Sequence, residues 1–528
     1  MVQAAMLEPA NQLQQAQADI DHLNARIDLL EQDRAILVQD KALLVQENRW
    51  LKQQLFGRSS EKRSEPVPAN QSWLFNEAEA VAAATEEVAQ IVIPAHARKA
   101  PGRKPIADHL PRVDIIHDLP EAEKICPTDG TVLERIGEEE SQQIDYIPAR
   151  VQVLRHIRLK YACPCCKSHI KLAEKPAQIL PKSNAAPSLL AHIACAKYVD
   201  GLPLNRQEKQ FHRVGLNLPR ATTANWMIKL GETVIPIINL LNDHLLDGPL
   251  LHCDETTLQV LRSHKAPSSD HFMWVRAGGS PERNVVLFDY APSRSAETAK
   301  RLLLGFKGIL LTDGYDAYDN VATAQSLVHA GCLVHARRYF KDVIKAQPEA
   351  SGRARIALDY IGKLYDVERE LRQRKVVPTA DEWLDVRQQK SAPIMNEFKS
   401  WLDDLAPKLL PSTLLAKAVH YALGQWNKLR VFLTEPIVPL DNNRCENAIR
   451  PFVVGRKSWL FCDTQAGATA SARLYSLVET AKANRVEPHA YLTHLFTHLP
   501  AATTVDEFEA LLPWNVKIDS SVKPRPSP

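Results

Sequence analysis

Residues 249–261 read PLLHCDETTLQVL, and this stretch decides the fold. Apolar side chains run through it at strand-like spacing, yet Asp254 stands in its middle. An unpaired carboxylate is expensive to bury in an apolar strand, so Asp254 reads as a working residue. Two more strand patterns follow, HFMWVRA at 271–277 and NVVLFDY at 284–290, with the first turn at 264–270. A helix is expected over 295–305. The apolar strand GILL at 308–311 then ends in Thr312, Asp313 and Gly314. A last short strand, SLVHAGCLVH at 326–335, leads into a helix that starts ARRYFK at 336–341. Three strands in a meander, then a helix, then parallel strands is the order of a ribonuclease-H-like domain.

That order places Asp254 and Asp313 on neighbouring strands. Adjacent carboxylates repel, which raises a pKa unless a cation lies between them. Mg²⁺ (or Mn²⁺) takes few protein carboxylates and keeps its other positions for water or phosphate oxygens. Two such ions can activate an attacking oxygen and stabilise a leaving one at phosphorus, but they need a third acid. Downstream, 341–437 reads as amphipathic helices, with Ala357, Ile361, Leu364 and Leu371 at helical spacing. PLDNNRCENAIRP at 439–451 follows. There Asp441, Asn442 or Asn443 can cap a helix that carries Glu446 one turn in. Arg450 shares its face, and Pro451 is expected to bend or end the helix. Spacing alone leaves Glu446 no better than a surface acid.

Working toward the N-terminus, residues 203–230 read as a helix-turn-helix. Leu204–Arg213 is the first helix, Val214-Gly215-Leu216 the turn, and Pro219 opens the second helix at its first turn. Arg220, Thr222, Thr223 and Asn225 come early on that second helix, where side chains reach base edges, while Trp226 is expected in the core. Before it lie Cys126-Pro-Thr-Asp129 and Cys163-Pro-Cys165-Cys166. Tyr146–Tyr161 alternates between them, suggesting strands of a zinc-ribbon-like hairpin. Cys126, Cys163 and Cys166 give three Zn²⁺ ligands; the fourth is open among Asp129, Cys165 and His117. Arg98, Lys99, Arg103 and Lys104 form a basic arm suited to phosphates. Leu23, Leu30, Leu37, Leu44 and Leu51 recur every seven residues, with Ile20, Ile27, Arg34, Lys41 and Asn48 at the matching a positions. This predicts a coiled coil that dimerises the chain, with the polar a positions weakening it. A separate DNA-binding unit near 52–63 is left open.

The 528 residues carry 65 Lys+Arg against 62 Asp+Glu, a net charge of only +3, which excludes a uniformly basic, histone-like chain. The balance hides a segregation. Residues 1–95 hold 8 basic and 14 acidic side chains, whereas 96–228 hold 20 and 14. No run of 18 apolar residues exists, so no membrane span is expected. The first residues show neither a basic nor an apolar signal region. The nine cysteines, odd in number and mostly isolated, suggest a cytoplasmic chain whose clustered thiols bind metal.

Several long motifs then carry a resemblance. They are HCDETT (252–257), LLTDGYDAY (310–318), HARRYF (335–340), DNNRCENAIRPFVVGRKSWLF (441–461) and YSLVETAKAN (475–484). KQQLFGRSSEK (52–62) and GRKPI (102–106) extend them. Together they resemble the DDE transposases of the insertion-sequence-sixty-six family, over about residues 15 to 500. The resemblance implies catalytic Asp254, Asp313 and Glu446 and a helical insertion between the last two. It also implies a zinc-finger segment ahead of the catalytic domain, and small accessory proteins encoded alongside. Asp129 departs from the second cysteine that many relatives carry. By chain order, Arg337, Arg338, Arg450, Arg456 and Lys457 fall near the acids and are expected on DNA phosphates. Cys332 and His335, with His329, have metal-like spacing but are expected to be structural.

The expected fold is therefore multidomain, mixed α and α/β. It comprises a coiled coil (1–63), an acidic linker (64–95), and a basic arm with a zinc-finger-like segment (96–180). A helix-turn-helix region (181–246) and a ribonuclease-H-like domain (247–340) follow. That domain is interrupted by a helical insertion (341–437) and closed by 438–495, ahead of a tail (496–528). The expected partner is double-stranded DNA, terminal inverted repeats and target alike, met by a homodimer. A ribonuclease-H-like nuclease without strand joining, or a catalytically inactive DNA-binding derivative, are the alternatives.

Overall fold

The computed structural model describes residues 151–162, 170–265, 270–347, 352–374, 376 and 378–517. The heptad, the acidic stretch, the basic arm Arg98–Lys104 and the expected zinc ligands Cys126, Asp129, Cys163 and Cys166 lie outside them. A small antiparallel hairpin pairs β1 (Lys160–Ala162) with β2 (Ile170–Leu172), so the second cysteine group falls between its strands. The strand expected over 146–161 is corrected: among the described residues it is paired only from Leu159, whose carbonyl accepts from Ala173 N–H at 3.0 Å, while Val153 and Ile157 before it are exposed. Alternation makes a strand only where a partner takes up the backbone groups and buries one face.

Four helices follow: α1 (Pro187–Tyr198), α2 (Leu204–Arg213), α3 (Arg220–Thr233) and α4 (Ile235–Leu246). The α2–α3 pair matches the expected helix-turn-helix, with Gly215 at φ +78° in its turn. Pro219 caps α3 instead of entering it. Trp226 is in the core, and Thr223 is buried there too, donating to the Arg220 carbonyl at 2.9 Å. The core under these helices is continuous with one face of the sheet beyond.

That sheet has six strands. Its main path runs β5 (Arg283–Ala291), β4 (Asp270–Ser280), β3 (Leu250–Arg262), β6 (Ile309–Thr312), β7 (Val328–Gly331), and β8 (Cys462–Thr464) joins the far half of β3. β3, β4 and β5 are the expected antiparallel meander, and β6 and β7 are parallel to β3. The connections are α5 (Ala296–Leu302) and α6 (Asp316–Ala324). Leu251 and Leu310 face one core, while Leu250, Ile309 and Leu311 face a second, as strand periodicity requires.

The second core is shared with the helices that follow. They are α7 (Leu333–Ala346), α8 (Gly352–Arg372), α10 (Ala392–Leu405), α11 (Leu414–Gly424) and α12 (Trp426–Leu429), with α9 (Ala380–Val386) between α8 and α10 in the chain but adding no buried residue. Ala357, Ile361, Leu364 and Leu371 are all fully buried on α8, as their spacing predicts. Two of the expected element ends are corrected. α7 begins at Leu333, not Ala336, because VHAGCLVHA fits strand and helix alike and the helix buries Leu333, Val334 and Ala336 together. And α13 (Asn443–Trp459) continues past Pro451, so the helix does not end there. Proline there forfeits the bond to the Asn447 carbonyl, but Asn447 is exposed, so water can replace it.

Three more helices close the chain: α14 (Gln465–Ala483), α15 (Pro488–His498) and α16 (Val505–Glu509). α14 covers the open edge of β5 and takes up its backbone groups one by one. Phe288 N–H donates to Ser476 Oγ at 2.8 Å; Val286 N–H donates to Thr480 Oγ1 at 3.1 Å, and that hydroxyl returns a bond to the Val286 carbonyl at 2.9 Å. Asn484 completes the ladder on Asn284 with bonds of 3.1 and 2.6 Å. The match is geometric: four residues of helix rise about 6 Å, and two residues of strand rise about 6.6–6.8 Å. A sheet edge that would otherwise invite a foreign strand is closed by hydroxyls and an amide. α3 is held to the same helix by close approach: a Cβ on Gly231 would lie 2.7 Å from the Ala470 Cα.

Candidate active site

The parallel register pairs His252 with Leu311. Two residues further on, Asp254 is still on β3, while Asp313 is the first residue beyond the end of β6, close enough to Asp254 for the two charges to be felt. Asp313 stands between the end of β6 and Gly314, whose φ of +105° only glycine adopts without strain. Tyr421 of the insertion donates to the Asp313 carbonyl, and a Cβ on Gly314 would meet its hydroxyl at 3.0 Å. The insertion thus braces the second acid from behind.

Glu446 comes from the first turn of α13. Asn442, before that helix, does not cap it with its side chain. Its amide instead bridges His252 Nδ1 and the Cys253 carbonyl, both at 2.9 Å. Asp441 accepts from Asn443 N–H at 3.2 Å and from the Tyr365 hydroxyl at 3.1 Å. The start of α13 is therefore tied both to β3, next to Asp254, and to the insertion.

A cleft of about 460 Å³ opens where these elements meet, lined by Asp254, Glu255, Asp313 and Glu446 and by Arg294, His335, Arg338 and Arg450. The acids differ in how they are satisfied. Glu255 is paired with Arg294 and accepts from the Tyr318 hydroxyl. Asp313 accepts from Tyr315 N–H at 3.0 Å and has Arg294 at 3.7 Å. Asp254 accepts from Glu255 N–H at 2.8 Å. Glu446 Oε1 is buried with no hydrogen-bond partner. Burial, then Glu255 and Asp313, hold the Asp254 carboxyl well above the usual range. Burial raises Glu446 too, against the pull of Arg338. Carboxylates that line one cleft, with one buried oxygen left unpartnered, are hard donors of the kind Mg²⁺ takes.

The structure brings Asp254, Asp313, Glu446, Arg338 and Arg450 to one cleft and, among the described residues, leaves the other expected DNA contacts outside its lining. Arg337 is corrected: it is 2% exposed, next to Tyr365 on the core side of α7, and cannot reach a phosphate. Arg456, nearly three turns along α13 from Glu446, donates to the Thr257 carbonyl, and Lys457 is exposed beside it. Arg220 and Asn225 are exposed and Thr222 half-buried on α3, away from the cleft lining. Sequence reasoning missed Glu255 and Arg294. The Asp-Glu pair at 254–255 was a signal for the first; nothing local pointed to Arg294.

Acids and arginines lining one cleft suit a protein that handles phosphates and cations. The family is given by sequence comparison. Residues 182–470 match the model described as Transposase IS66 family, and 476–514 match the IS66 C-terminal element. Residues 123–167 match the zinc-finger binding domain of transposase IS66. Residues 43–115 match a model described as Transposase C of IS166 homeodomain, which spans the end of the heptad, the acidic stretch and the basic arm. The chain belongs to the IS66 family of transposases. Its curated relatives include the uncharacterized protein y4jD of Sinorhizobium fredii (strain NBRC 101917 / NGR234), 33% identical over 78% of this chain and 81% of that protein. The uncharacterized protein y4hP of the same organism is 29% identical over 88% and 87%. Among the described residues no helix is long and apolar enough to cross a membrane.

Proposed function

We propose that this protein is a DDE transposase. It binds the terminal inverted repeats of its own element, cuts a strand with water, and joins the freed 3′ hydroxyl to target DNA. The observation that carries this reading is that Asp254, Asp313 and Glu446 line one cleft, with a buried Glu446 oxygen left unpartnered. The strand order of the sheet supports a ribonuclease-H-like catalytic domain. Asp254, Asp313 and Glu446 would hold Mg²⁺ or Mn²⁺, which when bound activates the attacking oxygen and stabilises the leaving one. Arg338 and Arg450, on the rim of the same cleft, hold the phosphates that flank the cut. Arg294 neutralises Glu255 and also faces Asp313 at 3.7 Å, so it offsets part of the negative charge of the cleft.

The other parts have supporting roles. Residues 126–166 hold one structural Zn²⁺, with Asp129 as the fourth ligand. The N-terminal coiled coil pairs two chains so that both element ends are held together. Arg220, Thr222 and Asn225 read bases, while Arg98, Lys99, Arg103, Lys104 and Lys457 meet phosphates. Accessory proteins of the same element complete the assembly, which works in the cytoplasm on nucleoid DNA. The presence of all three acids speaks against the inactive derivative. The test is strand cleavage on a terminal-repeat duplex: Asp254→Asn should abolish it and leave end binding nearly intact. Cleavage at the wild-type rate would sink the assignment.

A further inference from the structure

The acid of α13 has a second set of neighbours that the proposed chemistry does not use. Cys332, the residue that caps α7, and His335, in its first turn, both turn toward Glu446. The Cys332 sulfur, a His335 ring nitrogen and a Glu446 carboxylate oxygen lie within 4.8 Å of one another. Sequence spacing grouped His329 with the other two. The fold separates it, because His329 is held by Asp319 at 2.9 Å and Thr312 at 2.8 Å. Two of the remaining donors are poorly served: His335 Nδ1 and Glu446 Oε1 are buried atoms without a hydrogen-bond partner. Cys332 Sγ accepts from the backbone N–H groups of Asn442, at 3.2 Å, and of His335.

We propose that Cys332, His335 and Glu446 form a site for Zn²⁺, and that zinc bound there switches the nuclease centre off by taking Glu446 out of the Mg²⁺ site. Sulfur, nitrogen and one oxygen are the donors zinc prefers, and three protein ligands leave a fourth position for water. Zinc ligands stand about 3.3–3.8 Å apart around the ion, given bond lengths of about 2.0–2.3 Å. The triad therefore needs to close by little more than an ångström. Magnesium, which wants hard oxygens, has no use for the sulfur and competes poorly there. On binding, the thiol proton leaves to solvent and the sulfur becomes the thiolate ligand. Zinc binding itself stands on the triad alone; the inhibition rests on the catalytic reading of Glu446.

Cobalt titration of the full-length protein separates the two, because thiolate-bound cobalt gives a charge-transfer absorption. Wild type should bind one thiolate-liganded equivalent more than Cys332→Ser, whatever the zinc-finger segment at 123–167 contributes to both. His335→Ala should weaken that equivalent by at least about tenfold, and this variant serves if Cys332→Ser fails to fold. Asp254→Asn should bind it unchanged, since Asp254 is outside the triad. Equal cobalt equivalents in wild type and in both triad variants would overturn the site. In Mg²⁺-supported cleavage, added zinc should inhibit wild type at least about tenfold more strongly than it inhibits His335→Ala, each relative to its own activity. Equal sensitivity would overturn the switch. Failure of the catalytic reading would show instead as cleavage by Asp254→Asn.

Discussion

Two of the charge clusters among the described residues are built on opposite plans. In the insertion, Arg387 and Glu368 are 1% and 2% exposed and bonded to each other at 2.7 and 3.0 Å. The rest of the guanidinium is spent on backbone: the carbonyls of Phe432, Glu435, Pro436 and Val438 accept from it at 2.8 to 3.3 Å. Charge is balanced and the pair locks α8, a π-helical turn at Arg387–Ser391 and the loop that leads to α13. In the cleft, Asp254 has acids for neighbours and Glu446 keeps a buried oxygen with no partner. A buried charge that is fully bonded holds a structure; one left short is waiting for something that is not protein.

The sharpest contrast is between activity and stability. Asp254→Asn should lower cleavage by more than about a hundredfold, since even outer partners of a metal cost about 10–100-fold. Yet metal-free, its melting temperature should hold or rise, because a carboxylate raised by burial and by like charges is destabilising when ionised. A drop of several degrees would mean that Asp254 is balanced after all and would break the comparison. Arg387→Ala should do the reverse. It strands Glu368 in the core, a loss of about 3–5 kcal/mol, read as a lowered denaturant midpoint. A loss below about 1 kcal/mol would show that water reaches the pair.

The same contrast explains what the sequence could tell. The strand order and Asp254 were legible because a lone acid in an apolar, alternating stretch violates a local rule. Glu446 was not legible from spacing, since the first turn of any surface helix carries acids; only the longer motif singled it out. Arg337 and Arg338 are consecutive, and no composition tells which one faces the core. The start of α7 was misplaced because its apolar run suits both periodicities, and that error hid His335 from the cleft. The Arg387–Glu368 pair joins positions 19 residues apart, a distance at which single-sequence patterns are silent.

Balanced buried groups should also set the acid limit of the fold. Burial pushes His252 and His329 down to about 4 from 6.5. Both are neutral and hydrogen-bonded in the folded chain, to Asn442 and to Thr312 and Asp319. Between those two pH values the unfolded chain binds protons that the folded chain does not. Stability is therefore full above about 6.5 and lost as pH falls toward 4. The gap is worth at most about 3 kcal/mol per histidine. Denaturant midpoints across this window should fall less steeply for His329→Gln than for wild type. Parallel curves would show that His329 is not buried neutral.

The smallest effect tests whether balance matters where no charge is involved. Thr480 serves both backbone groups of Val286 at the edge of β5, and both residues are buried, at 0% and 5% exposed. Thr480→Val keeps the shape and removes the hydroxyl, stranding an N–H and a carbonyl away from water. Each such group costs about 1–3 kcal/mol, and the edge can relax, so a loss of about 2 kcal/mol is expected. Thr480→Ser keeps the oxygen and gives up one methyl, worth about 1 kcal/mol. Valine should therefore be the more damaging replacement although it is the more apolar one, in a site that is wholly buried. Hydrogen exchange at the Val286 amide should quicken in the valine variant and stay slow in the serine variant. If the two variants lose equal stability, or valine the less, then α14 is held to the sheet by packing alone, and its hydroxyls only fill space.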